Sequence, residues 1–294
     1  MNNEWWNIFE GKVEVDKKAS DWSWLQVGGA PSFTFNPSSI EEIMFFLKKK
    51  PYDFPFRVFG AGSNVLVRDN GFEGAFIRLK KAFRNVEFDG SDVIIGSGVL
   101  GKTLALVCAE NDIGGFSFMA TIPGMIGGMC FMNAGAHGVE FSDIIKWVEI
   151  LDESGKLHRL NNSECGFSYR KSSFPKNSII LKVCLKGEIS KSEDINKEIR
   201  ELIAIREKTQ PYKGKIAGCF FKNLDSKKAW ELVKESDYAE FSNDLIEVSD
   251  IHSNFLINKS GSALDIEMLL ERIRANIFYK TGMWLEREIE VVGY

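Results

Sequence analysis

An α+β fold in two domains is what this sequence predicts, on three observations. Helix-like and strand-like segments are interspersed along the 294 residues, glycine clusters interrupt the chain at 60–62 and between 114 and 138, and a charged, capped helix opens near residue 190 after a buried strand. With 44% apolar residues, the chain is apolar enough to give each of two or three packed units a core. The expected division is 1–190, in parts of about 1–85 and 86–190, followed by 191–294 as a smaller α+β domain.

Ser38 with Glu41 reads as a capping box, after which Ile40, Ile43, Met44 and Leu47 recur at helical spacing until Lys48-Lys49-Lys50-Pro51 ends the helix. A strand at Phe56–Phe59 then runs into Gly60-Ala61-Gly62-Ser63-Asn64, with further strands at Val65–Val67 and Ala75–Leu79. Val86–Phe88 and Val93–Ile95 flank Asp89-Gly90 as a hairpin, and a helix is expected over Leu100–Glu110. The stretch from Gly114 to Gly138 is too rich in glycine to predict a regular element. Trp147–Leu151 and Leu157–Leu160 read as a second hairpin and Ile179–Leu185 as a buried strand. Gly187 marks a boundary, and Ser192 caps a helix carrying Ile195, Ile199, Leu202 and Ile203 on one face. Asp265 precedes a last amphipathic helix through Ile277, and Ile289–Val292 forms a terminal strand.

Composition narrows the function classes. A net charge of −4 with both signs interspersed provides no basic field for nucleic acid. No basic segment followed by an apolar run occurs over Met1–Ser20, and no window reaches the length of a membrane span, so a cytoplasmic protein without membrane insertion is expected. Five cysteines at wide spacings form no Cys-x-x-Cys pair, and His137, His158 and His252 are far apart, so neither disulfides nor a metal is expected. The sequence specifies no oligomeric state.

Two glycine-rich loops carry the binding signal. Gly60-Ala61-Gly62-Ser63-Asn64 follows a strand and offers backbone N–H groups to an anion such as a pyrophosphate. Alone it reads first as a tight turn, since Val65–Val67 returns to strand instead of opening the helix of a dinucleotide fingerprint. Thr121-Ile122-Pro123-Gly124-Met125-Ile126-Gly127-Gly128, continued by Asn133-Ala134-Gly135-Ala136, could wrap a second part of the same group. Two such clusters favour a bound dinucleotide over a close strand crossing.

These loops resemble the FAD-binding half of the UDP-N-acetylenolpyruvoylglucosamine reductase (MurB) family, whose FAD domain is of the vanillyl-alcohol-oxidase (PCMH) type. Further segments extend the likeness. Phe167-Ser168-Tyr169-Arg170-Lys171-Ser172 is similar to the family's Tyr-Arg-x-Ser motif, Gly218-Cys219-Phe220-Phe221-Lys222-Asn223 to Gly-Ser-x-Phe-Lys-Asn, and Leu285-Glu286-Arg287-Glu288 to Leu-Glu-x-Glu. Gln210-Pro211 and His252-Ser253-Asn254-Phe255 also fit, in order from Trp24 to Gly293. Between Arg170 and Cys219 there is room for one strand and one helix, as in the shorter, second type of the family.

The resemblance implies an enzyme in which NADPH, as co-substrate, reduces non-covalently bound FAD and is then replaced by UDP-N-acetylglucosamine enolpyruvate. It implies that Gly60 to Asn64, Thr121 to Gly124, Gly127, Gly128 and Asn133 to Gly135 hold FAD, while Tyr169, Lys222 and Asn223 line the substrate site. Arg170 and Glu288 are implied to stabilise the enolate and Cys219 to deliver its proton, each of the three being, on residue type alone, an ordinary surface charge or buried thiol. Cys219 stands where the family carries serine, and a thiol with a reference pKa of about 8.5 is still mostly protonated at neutral pH. Leu224 replaces a common proline. Two rival readings are an FAD oxidase of the same superfamily, in which His137 would be the tether, and a catalytically inactive protein that keeps the fold.

Overall fold

The Ile40–Lys49 helix is capped by Ser39, whose hydroxyl accepts the Glu42 N–H at 3.3 Å while the Glu42 carboxylate returns to the Ser38 N–H at 2.6 Å. The capping box therefore lies one residue beyond the Ser38/Glu41 pair. This phase buries Ile43, Phe46 and Leu47 and leaves Met44 exposed. The computed structural model describes residues 5–237 and 244–294, which form two compact units, each assembled from separated segments.

The first unit comprises Met1–Val15, Phe33–Gly60 and Gly74–Ala204. Its four-stranded sheet has the order Val13–Glu14, Pro31–Phe35, Phe72–Arg78, Phe56–Phe59, the last two running parallel. Phe33 and Phe35 meet Phe46 of the helix, Phe35 stacking on it at 5.0 Å, and Trp6 stacks on Phe33 at 4.7 Å. The Trp5-Trp6 pair is thus part of an aromatic core.

An antiparallel five-stranded sheet follows, in the order Leu157–Asn161, Ile145–Leu151, Ile179–Lys186, Asp92–Gly96, Val86–Asp89. The first hairpin pairs Asp89 with Asp92, so Gly90-Ser91 forms its turn, one residue later than the Asp89-Gly90 reading. Val93, Ile95, Val148, Val183 and Leu185 pack with Leu104 of the Gly101–Glu110 helix and with Ile126, Met129 and Cys130. The last three lie on a short helix, Ile126–Phe131, inside the stretch expected to lack regular structure. Tertiary contact overrides glycine's low helix propensity there: a Cβ on Gly127 would lie 2.9 Å from the Ser97 Cβ, so this turn packs where no larger residue fits.

The Ser192–Thr209 helix buries Ile195 and Ile199 against Ala105, Ala109 and Ala120. Its first N–H is held by Asp112 at 2.8 Å. The first unit consequently runs on to Ala204, inside the helix, past the division drawn at 190/191.

The second unit comprises Asp16–Ser32, Ala61–Glu73 and Ile205–Tyr294. A three-stranded antiparallel sheet orders Lys215–Ile216, Leu256–Asn258, Ile246–Val248. The Ala263–Thr281 helix covers it with Ile266, Leu269, Leu270, Ile273 and Ile277, and starts two residues before Asp265 because Ser262 is the cap and Asp265 the returning carboxylate. Val65–Val67 pairs in parallel with Glu290–Val292, bringing the first glycine loop to the end of the chain. Among the described residues, no helix is long and apolar enough to cross a membrane.

Candidate active site

In the second unit, the glycine loop and the terminal strand hold the Cys219 segment. Asn64 donates its side-chain amide to the Glu288 carbonyl at 3.1 Å, and its own carbonyl accepts from Glu290 N–H at 3.2 Å. The Gly218 N–H reaches the Ser63 carbonyl at 3.0 Å. Beyond Cys219, antiparallel pairing takes over: Glu288 N–H donates to Phe220 O at 2.8 Å and Lys222 N–H to Glu286 O at 2.9 Å, around the Phe221–Arg287 bridge.

Buried Asn254 closes the opposite edge. Its side chain accepts from Phe221 N–H at 3.0 Å and donates to Phe221 O at 2.8 Å, acting as one more residue of strand, while its carbonyl accepts from Phe220 N–H at 3.1 Å. Phe220 and Phe221 are buried, so Cys219, half-buried, lies between anchored neighbours. Lys222 pairs with the Glu286 carboxylate at 3.2 Å, and the Asn223 side chain accepts from Ala229 N–H at 2.9 Å, at the start of the Ala229–Lys234 helix.

Arg287 points the other way along the strand. Its guanidinium meets Glu267 at 3.0 Å and Glu271 at 2.5 Å; Glu267 also takes two bonds from Arg68, at 2.7 and 3.1 Å. The Arg68 bond, opposed by burial and reinforced by Arg287, holds the Glu267 carboxyl below its ordinary range. Burial raises Glu271, but Arg287 and Arg274 outweigh it and leave that carboxyl lowered as well.

In the first unit, Tyr169 and Arg170 are the central residues of a tight turn closed by two bonds of 3.0 Å between Ser168 and Lys171. Arg170 has a φ of +53°, a conformation that costs a non-glycine residue about 1 kcal/mol or more. The Arg170 side chain is mostly covered, donates to Gly135 O at 3.0 Å, lies 3.9 Å from the Glu140 carboxylate and approaches the Tyr169 ring at 5.1 Å.

The second glycine loop lies in this same unit. Gly124 O accepts from Gly101 N–H and Gly127 N–H donates to Ser97 O, which fix the loop against the sheet, while Thr121 spends its hydroxyl on Phe118 O at 2.7 Å. A Cβ on Gly60 would touch Met125 at 3.3 Å, so the start of the first loop meets the second here.

Each loop, taken within its own unit, leaves polar groups without partners. Among the described residues the buried hydroxyls of Ser97 and Ser117 and the Asn64 side-chain carbonyl lack partners, and the Ala61 and Gly62 N–H groups donate to nothing. Gly62, at φ +70°, lies so close to Trp22 that a Cβ would come within 2.8 Å of its ring, while Gly128 faces open space. Such backbone can approach a ligand directly.

The other four cysteines are buried. Burial pushes the Cys108 thiol up to about 12 and that of Cys165 up to about 11, and raises those of Cys130 and Cys184. His137 is exposed at the tip of the Gly135–Ala136 and Val139–Glu140 hairpin. No group of three metal-ligating side chains occurs among the described residues.

Sequence reasoning assigned Asn133 to a cofactor. Its side chain binds Glu140 at 2.8 Å, Ser168 O at 3.1 Å and Ser142 N–H at 2.9 Å, so it also supports the Arg170 turn. Asn254 was noted only within its motif, and Glu140 not at all.

Comparison with known proteins bears on the whole chain. The family described as "FAD binding domain" matches residues 31–161, and "UDP-N-acetylenolpyruvoylglucosamine reductase, C-terminal domain" matches 210–292. The UDP-N-acetylenolpyruvoylglucosamine reductases of Rickettsia massiliae and Rickettsia akari are each 38% identical to the chain, over 97% of its length and 97% of theirs. The crystal structure of the MurB reductase from Thermus caldophilus superposes with a TM-score of 0.82 at 30% identity, covering 96% of this chain and 98% of that one. The 6-hydroxy-D-nicotine oxidase of Arthrobacter nicotinovorans shares the fold, with a TM-score of 0.56 at 11% identity over 96% of this chain and 89% of its own.

Proposed function

The chain belongs to the UDP-N-acetylenolpyruvoylglucosamine reductase family, and from that premise we propose that it reduces UDP-N-acetylglucosamine enolpyruvate to UDP-N-acetylmuramate with NADPH. The reaction would serve peptidoglycan precursor synthesis in the cytoplasm. The observation that carries this reading is the match to these reductases over both domains; the oxidase likeness, at 11% identity, extends to fold alone.

Gly60 to Asn64, Thr121 to Gly124, Gly127, Gly128 and Asn133 to Gly135 would hold FAD non-covalently. Bound there, the flavin supplies a two-electron relay between nicotinamide and substrate. As hydride reaches the methylene carbon of the enolpyruvyl group, negative charge develops on the adjoining carbon and its carboxylate. Arg170, always charged and offering a planar fork of donors, stabilises that charge more than it stabilises the ground state. Cys219 gives the carbon its proton, and the pairing on both sides of its segment supports an oriented thiol. Glu288 acts in the same step, either protonated or by orienting a cation. Tyr169, Lys222 and Asn223 contact the sugar nucleotide.

The test is a visible spectrum of the purified protein with NADPH absorbance followed in the presence and absence of UDP-N-acetylglucosamine enolpyruvate. Flavin bands with NADPH loss only when substrate is added support the proposal. Flavin bands with NADPH or substrate oxidation by oxygen and no dependence on the enolpyruvyl ether would return the oxidase reading.

A further inference from the structure

Arg170 stands beside a carboxylate of its own unit that the sequence motifs do not include. The hairpin of Gly135–Ala136 with Val139–Glu140 pairs Gly135 opposite Glu140, and its turn residues His137 and Gly138 have φ values of +55° and +83°, as a two-residue hairpin loop requires. The guanidinium addresses both members of the Gly135–Glu140 pair, the carbonyl at 3.0 Å and the carboxylate at 3.9 Å. The Glu140 stem packs over Gly135, where a Cβ would lie 3.0 Å from the Glu140 Cγ and 2.7 Å from the Val139 carbonyl.

Glu140 is itself held. Its Oε2 accepts from the Asn133 amide at 2.8 Å, and its backbone N–H donates to Asp143 at the start of the short Phe141–Ile144 helix at 2.8 Å. Asn133 uses the same amide nitrogen on Ser168 O, the residue that opens the Tyr169-Arg170 turn. One asparagine therefore ties the carboxylate to the turn that presents the arginine. That turn is strained at Arg170, so it needs external fixing.

We infer that Glu140 is a positioning residue for Arg170, holding the guanidinium in the orientation that meets the substrate carboxylate; this rests on the role proposed for Arg170 above. Two opposed effects set its signature. As a negative charge close to the guanidinium, Glu140 also opposes a second carboxylate, so removing its charge should not weaken ground-state substrate binding. Releasing the guanidinium, in contrast, costs the stabilisation realised only in the transition state, and a misplacement of about 1 Å is worth on the order of 10²-fold in rate. A merely structural residue would produce neither the split nor its direction.

The experiment compares Glu140→Gln, Glu140→Asp, Arg170→Ala and Arg170→Lys with the parent flavoprotein. Anaerobic rapid mixing gives flavin reduction by NADPH and, separately, re-oxidation by UDP-N-acetylglucosamine enolpyruvate. Titration of the oxidised flavin spectrum gives substrate Kd, and a thermal scan gives Tm. Expected for Glu140→Gln is re-oxidation slowed by about 10- to 100-fold, with Kd equal to or tighter than the parent's and with reduction rate and Tm preserved. Glu140→Asp, which keeps the charge, should recover part of the loss. Re-oxidation within twofold of the parent in Glu140→Gln, while both Arg170 variants are slow, would overturn the inference and leave the function proposed for Arg170 intact. Equal losses in reduction, flavin content and Tm would also overturn it, by showing a structural role. Near-normal re-oxidation in both Arg170 variants would remove the role of Arg170 itself, and the inference with it.

Discussion

The Glu288 N–H donates to the Phe220 carbonyl at 2.8 Å, so a residue six positions from the end of the chain fixes the backbone next to Cys219. On the other edge, Asn254 bonds both polar groups of the Phe221 backbone. The thiol proposed as proton donor is thus carried by a segment clamped from two sides.

Cys219→Ala should leave NADPH-dependent flavin reduction intact and slow re-oxidation by the enolpyruvyl substrate by about 10²- to 10⁴-fold, the usual worth of a positioned acid. Cys219→Ser should regain part of that rate. Near-normal re-oxidation in both variants under rapid mixing would dismiss Cys219 as the donor.

Asn254→Ala would leave the Phe221 N–H and carbonyl buried without partners. Each such group costs about 1–3 kcal/mol, so a loss of about 2–6 kcal/mol is expected in urea unfolding of the flavoprotein. A loss below about 0.5 kcal/mol would mean that the clamp is not needed, because ordinary surface substitutions reach that size.

Gly62→Ala adds a methyl that points at the Trp22 ring and imposes a side chain on a φ of +70°. Strain of about 1–3 kcal/mol is expected, together with a lower ratio of flavin to protein absorbance after purification. Undiminished flavin content would argue that Ala61 to Asn64 do not hold the cofactor.

The Arg68–Glu267–Arg287–Glu271 network makes stability depend on acidity. Both carboxyls are lowered in the folded chain, so their contribution is fully present above the unfolded carboxyl pKa of about 4.3 and is lost as pH falls through the lower folded values. Glu267→Gln should flatten the dependence of unfolding free energy on pH in that acidic window while changing little of its slope near neutrality. An unchanged acid slope in Glu267→Gln would show that the network does not couple to folding.

If FAD is held by hydrogen bonds and packing alone, acid precipitation should release all of it into the supernatant, and His137→Ala should retain the parent's flavin content. Flavin remaining with the pelleted protein would instead revive a covalent tether.

Much of the proposed site is drawn from contiguous residues. Gly60 to Asn64, the Tyr169-Arg170 run and Gly218 to Asn223 are local strings, and what they signal, close backbone approach or a particular side chain in a turn, is encoded where it is used. Asn133 and Asn223 show the limit of such reading. Their positions were recognised, but the side chains bind Glu140 and Ala229, partners that spacing does not indicate.

The amino-acid sequence by itself determined the classes of segment, the absence of a basic or metal-binding character in its composition, and the motif order that resembles the reductase family. Apolar periodicity and glycine clustering are local properties, and they predict local structure. Only the tertiary structure decided that Ala61–Glu73 and Asp16–Ser32 join the C-terminal unit and that the Ser192–Thr209 helix begins on the first. Only it decided that Glu140 meets Arg170 and Asn254 clamps Phe221. These are pairings between residues 30 to 33 positions apart, or, for Val65 with Glu290, across 225. Nothing local in the chain specifies such a partner; it is chosen by which buried polar groups and apolar faces can be satisfied together as each unit folds.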